Sequence, residues 1–247
     1  YNLRIRRMLE AVYTGYTGDK TAADFKAMEV YLKRVWFSNG IHHHYGCEKF
    51  VPGFTPEFFR QALLSVDAAT LPLAEGQTVE QLYEEVAPVI FDPKVMPKRV
   101  NQAAGEDLVL TSACNYYDGV TQQEAEAFYS AMKDPKDETP VSYGLNSRLV
   151  KENGKIQEKV WKVGGLYGAA IGKIVYWLKK AEGVAENPEQ KAVIAKLIEF
   201  YETGDLKTFD DYAILWVKDL DSRIDFVNGF TESYGDPLGM KASWESL

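Results

Sequence analysis

Four helix starts constrain this chain more than any other feature. Thr55-Pro56 and Asn187-Pro188 each set a capping side chain before a proline in the first helical turn. Thr78-x-x-Gln81 and Thr121-x-x-Glu124 are capping boxes, in which side chain and backbone cap each other. Apolar residues at the 3.6-residue period follow. Phe58, Phe59, Ala62, Leu63 and Val66 follow Thr55; Leu82, Tyr83 and Val86 follow Thr78. Val193, Ile194, Leu197, Ile198 and Tyr201 follow Asn187 and end at Gly204, while the helix from Thr121 runs to about Met132. With 46% hydrophobic and 13% aromatic residues the chain can bury a core. The fold class is therefore α+β and predominantly helical.

Further helices are expected over residues 2 to 14, ending at Gly15, and from Thr21 with Asp24 as its cap to Ser38-Asn39-Gly40. Another carries Leu206, Phe209, Tyr212, Ala213, Trp216 and Val217. Pro88, Pro93 and Pro97 read as breakers opening a loop-rich passage to about residue 106, with Leu108 to Thr111 as a short strand. Gly164-Gly165-x-x-Gly168-x-x-x-Gly172-Lys173 fails as a phosphate loop: Tyr167 stands where the first glycine belongs and Ile174 follows the lysine. It reads as a helix with Gly168 and Gly172 one turn apart for close packing.

The small antiparallel β element is expected at Arg148 to Trp161, a hairpin turning on Asn153-Gly154. Its alternation is imperfect, because Lys151 and Glu158 share a face with Leu149, Ile156 and Val160. Its edge could pair with another strand or an extended peptide. No Pro/Gly/Ser linker divides the chain, so residues 1–247 read as one domain.

Charge and cysteine usage exclude several classes. A net charge of −8 disfavours nucleic acid, which needs a basic stripe. No stretch approaches the ~18 apolar residues of a membrane span. Two cysteines, Cys47 and Cys114, make no disulfide framework and favour a reducing, cytoplasmic setting. His42, His43 and His44 are the only histidines. Adjacent side chains diverge in helix or strand, so the triplet makes a poor metal shell, and any His-based triad would have to draw on it. Starting at Tyr1 and stopping at Leu247 just past a motif, the sequence reads as a piece of a longer protein.

Residues 225 to 239 read as a helix that stops hard at Gly235-Asp236-Pro237. Asp225, Asn228 and Glu232 would share one face, opposite Phe226, Val227, Phe230 and Tyr234. The same stretch, Asn228-Gly229-Phe230, Glu232-Ser233-Tyr234 and Asp236-Pro237-Leu238-Gly239, resembles the "GF-x-ES-Y-x-DP-x-G" segment of the dipeptidyl peptidase III family of zinc metallopeptidases. Tyr45 to Pro52, Asn115 to Gly119, Ser142-Tyr143 and Asn146 to Leu149 resemble that family in the same order, so the likeness covers roughly residues 40 to 247.

That resemblance implies an enzyme of two lobes around a cleft, removing dipeptides from the N-terminus of short peptides. One lobe holds zinc through an H-E-x-x-G-H helix and a downstream glutamate; the other mixes helices with a small β-barrel. This chain has neither H-E-x-x-H nor H-E-x-x-G-H, so it reads as most of the non-zinc lobe. Its implied partners are a short peptide substrate and the missing zinc-bearing lobe, and isolated it is expected to be inactive and without a cofactor. The family binds the substrate's terminal amine with an acidic residue four positions before the glycine of "GF", where Asp225 stands; Asn228 is a second candidate. Val227 replaces a tyrosine common in the family. The alternatives are a non-catalytic helical interaction domain and a hydrolase built on His42 to His44.

Overall fold

The computed structural model describes residues 1–247 and shows a predominantly helical α+β chain. It forms two compact units. The first comprises residues 1–101 with 111–113; the second comprises 102–110 with 114–247.

The first unit holds four helices: α1 (Asn2–Gly15), α2 (Ala23–Ser38), α3 (Pro56–Ser65) and α4 (Val79–Phe91). Their stripes meet in one core containing Met8, Leu9, Met28, Leu32, Phe59, Leu63, Leu82 and Ile90. Thr55 caps α3 by accepting from the Phe58 amide, and the Thr78–Gln81 box closes on α4 as its spacing predicts. Two expectations fail here. Thr21 does not cap α2; its hydroxyl and amide are held by Asp19, while Asp24 accepts from the Thr55 amide. Pro88 does not break α4 but lies inside it, three residues before its end.

The second unit carries α5 (Gln122–Ser130), α6 (Gly168–Glu182), α7 (Pro188–Thr203) and α8 (Leu206–Lys218). Five short strands accompany them: β1 (Tyr117–Asp118), β2 (Ser147–Glu152), β3 (Lys155–Val160), β4 (Asn228–Glu232) and β5 (Ser243–Ser246). The sheet order β1-β2-β3 combines a parallel β1–β2 pair with the antiparallel hairpin, and β4 pairs antiparallel with β5. Asn153 at φ 50° and Gly154 at φ 76° make the left-handed turn that Asn-Gly favours. Tyr201, Phe200, Leu197 and Val193 of α7 form the centre of the main core, with Trp161 and Phe230 stacked at 5.2 Å. A smaller cluster gathers Tyr117, Val120, Tyr129 and Leu149.

Three expectations are corrected in this unit. Leu108 to Thr111 is a turn, because Asp107 Oδ1 captures the Val109 and Leu110 amides at 3.0 and 2.9 Å. Gly172 is not a close-packing site: a Cβ built there meets nothing within 4 Å, whereas at Gly168 it would stand 3.3 Å from the Lys162 carbonyl. The largest correction concerns residues 225–239, which hold no helix. Gly229 adopts φ 151°, and a Cβ there would lie 2.7 Å from the Phe209 ring. That backbone suits only glycine and is extended, so it carries Asn228 to Glu232 into β4. A bulge between Phe230 and Glu232 bends the pair. Asp225, Asn228 and Glu232 therefore share no helical face.

Candidate functional site

The approach to β4 is fixed before it reaches the strand. Glu186, in the α6–α7 connection, accepts from the Arg223 amide and guanidinium and from the Ile224 amide at 2.9 Å. The guanidinium, together with those amides, holds the Glu186 carboxyl below its usual range. Gln190 Nε2 of α7 donates to the Ile224 carbonyl at 2.9 Å. Residues 222 to 224 are thus tied to the start of α7.

Side chains then alternate along the extended segment. Ile224 and Phe226 line a largely apolar cleft of about 370 Å³ with Leu178 and Ala181 of α6, Val184 just beyond it and Ile194 of α7. Asp225, between them, is exposed and reaches back to α8: its Oδ1 accepts from Trp216 Nε1 of that helix and from the Phe226 amide, both at 2.8 Å. Both bonds fall on one oxygen, so the second keeps its capacity to accept from a cation.

Asn228 is held differently. Its Oδ1 accepts from the Tyr201 hydroxyl, which in turn accepts from Trp244 Nε1 at 2.7 Å, and its Nδ2 donates to Ser246 Oγ at 3.1 Å. The Tyr212 hydroxyl bonds the Asn228 backbone and lies within the field of Asp225; burial, then that charge, pushes its pKa up to about 12. Asp225 and Asn228 therefore stand on one short segment around Tyr212. The Asn228 amide ties β4 to α7 and β5, while the Asp225 carboxylate faces outward. Sequence reading missed the polar roles of Tyr201, Tyr212 and Trp216, whose helical period marks them as core and hides their polar tips, and that of Trp244 in β5, which no pattern singled out.

A buried polar network lies beneath the turn joining β4 to β5. Asp236, 2% exposed, accepts from the Tyr117 hydroxyl at 2.9 Å and from the Met240 and Lys241 amides at 2.8 Å. Lys241, 0% exposed, donates its ammonium to the Tyr129 hydroxyl, the Ser147 hydroxyl and the Gly144 carbonyl. The Tyr129 and Ser147 hydroxyls also donate to Glu158. This explains the flawed alternation of the hairpin: Glu158 faces inward opposite Leu149 to serve the network, and Lys151 pairs outward with Glu124 of α5.

The histidine triplet offers no metal shell. His42 is 2% exposed and donates Nε2 to the Met96 carbonyl at 2.8 Å, and burial lowers its pKa. His43 and His44 stack at 4.6 Å; His43 Nδ1 accepts from two loop amides, and Ser38 Oγ lies 3.1 Å from His44 Nδ1. No carboxylate is hydrogen-bonded to either ring, so the relay of a hydrolase triad is missing. No group of three or more His, Cys, Asp or Glu stands close enough to hold a metal ion, so these residues do not fit zinc.

A model of peptidase family M49 matches residues 111–247, which include the whole of the β4–β5 segment. The chain belongs to peptidase family M49. Dipeptidyl peptidase 3 of Homo sapiens is similar, with 24% identity over 261 residues, 92% of this chain and 34% of its own length. The protein of the same name from Nematostella vectensis is 23% identical over 256 residues, with the same coverage. That of Dictyostelium discoideum is 32% identical over 83 residues, 34% of this chain and 12% of its own. The solved structure of DPP III from Caldithrix abyssi aligns with 98% of this chain and 38% of its own at a TM-score of 0.44 and 18% identity. This M49 chain spans about a third of the length of the curated relatives that it matches along most of its length. No helix in it is long and apolar enough to cross a membrane.

Proposed function

We propose that this chain forms the peptide-side lobe of a zinc-dependent exopeptidase that releases dipeptides from the N-terminus of short peptides. Both compact units belong to that lobe in this reading. The observation that carries it is the M49 match, which spans the segment presenting the Asp225 carboxylate to solvent. Zinc, where the enzyme needs it, is supplied by residues outside these 247, since the ones present do not fit it. The chain's own residues bind and orient the peptide, and no chemical step is assigned to them.

Asp225 takes the substrate's terminal ammonium. An exposed carboxylate already oriented by two N–H donors loses little freedom on gaining a third partner, and a charge-assisted bond between carboxylate and ammonium is among the stronger hydrogen bonds. Asn228 acts at one remove, because both ends of its amide are engaged by Tyr201 and Ser246. The outer edge of β3 ahead of Val160, whose carbonyl accepts from the Leu166 amide, receives an extended peptide in this reading. The deciding experiment is a dipeptidyl-arylamide assay with zinc on the 247-residue chain and on the longer enzyme, side by side. Release by the longer enzyme alone supports the reading. Turnover by the isolated chain, or a stoichiometric zinc in it, overturns it.

A further inference from the structure

The buried ammonium of Lys241 has no carboxylate within salt-bridge distance. All three of its acceptors are neutral: Tyr129 Oη, Ser147 Oγ and the Gly144 carbonyl. The rings of Tyr117 and Tyr129 flank it at 5.4 and 4.9 Å from their centroids. A charge so placed is costly to bury, and its pKa falls to about 8, with Glu158 and Asp236 opposing the fall. The Tyr117 and Tyr129 hydroxyls of the network, and the Cys114 thiol beside it, are pushed up by burial; the network's carboxylates are Asp236 and Glu158. Stability alone does not account for a lysine here, since an apolar side chain of similar length would fill the space.

The β4–β5 pair is the element that such a charge can discipline. It is four to five residues on each strand, bulged at Phe230/Glu232, and belongs to a sheet of two strands only. A two-stranded pair is marginal on its own and takes its register from outside contacts; Phe230 against Trp161 supplies one on β4, and the connection to β5 supplies another. Lys241 sits two residues before β5, in the connection from β4. An ammonium that must find three particular acceptors tolerates one position of that connection, because in a slipped register it would be buried without them.

We propose that Lys241 is a positioning residue that selects the register of β4 on β5, and so places the segment bearing Asp225 and Asn228. The inference rests on the peptide-contact reading for its functional meaning, but not for its test, which needs no peptide. Asp236 serves the same end by holding the consecutive amides of Met240 and of Lys241 itself.

The test is the backbone amide spectrum of the 247-residue chain carrying Lys241→Met, with Tyr129→Phe as a second variant that keeps the charge and removes one acceptor. In Lys241→Met the amides of 228–232 and 243–246 are expected to split into two or more sets, while those of α7 stay single and the melting temperature does not fall. Tyr129→Phe is expected to split the same amides. A single, unshifted set for β4 and β5 in both variants overturns the proposal. So does a melting temperature that falls with α7 and β4 disturbed together, which is the signature of a purely structural lysine. In the longer enzyme, splitting is expected to raise KM with kcat unchanged. If Asp225→Ala leaves KM unaltered while the splitting persists, the register inference stands and the peptide contact falls.

Discussion

At the scale of single residues, the proposed peptide contact turns on the carboxylate of Asp225. Replacing it by alanine in the longer enzyme is expected to raise KM for dipeptide release by about tenfold, the worth of one charge-assisted hydrogen bond at an exposed site, with little change in kcat. Steady-state kinetics on a dipeptidyl-arylamide reads this directly, and an unchanged KM removes Asp225 from the site. Asp225 was singled out by its fixed offset from Gly229 within a family segment; that Trp216 and the Phe226 amide hold it was not readable there. The network around Lys241 was not legible. A lysine, a tyrosine, a serine and a glutamate scattered from residue 129 to 241 carry no spacing that marks them as neighbours; only the chain's path joins them. Glu158 alone left a trace, as a charge on the wrong face of the hairpin.

At the scale of elements, local chemistry predicted what local chemistry controls. The capping boxes at Thr78 and Thr121 form as their spacing requires. Thr78→Ala and Thr121→Ala are each expected to lower stability by about 1 kcal/mol, read from the urea midpoint at constant m. The Asn153-Gly154 turn likewise declares itself, since both residues must reach positive φ. Residues 225–239 were misread because their apolar spacing fits a helix as well as a bent strand. Tertiary contact decides between them: Phe209 occupies the space above Gly229 and leaves no room for a side chain. Gly229→Ala is therefore expected to destabilise β4 by more than the ~1 kcal/mol usual for glycine substitutions, through both backbone strain and collision with the ring. Amide exchange at 228–232 measures it, and unchanged rates would show that Phe209 yields instead.

At the scale of the whole molecule, the largest core of each unit is a site of vulnerability. Leu32 and Leu197 are both 0% exposed, one in each unit. Truncating either to alanine is expected to cost roughly 2–5 kcal/mol, with amide exchange rising among α1–α4 for Leu32→Ala and among α6–α8 for Leu197→Ala. Equal exchange throughout after either change would mean one cooperative unit. Stability should also depend on alkaline pH in two phases. Lys241 has a folded pKa of about 8 against 10.5 when exposed, so the unfolded chain binds the extra proton between these values and stability rises with pH there. Tyr117, Tyr129 and Tyr201 are raised by burial, so above about pH 10 the folded chain holds the extra protons and stability falls. Urea midpoints from pH 7 to 11 should show the rise in the native sequence and not in Lys241→Met. The division into units also bears on how the molecule can be handled. Asp225, Trp216, Asn228 and Lys241 all lie in the second unit, so a truncation beginning near residue 102 would keep every one of them while discarding the four leading helices, and a spectrum of that shorter piece matching the same residues in the whole chain would show that they need no help from those helices.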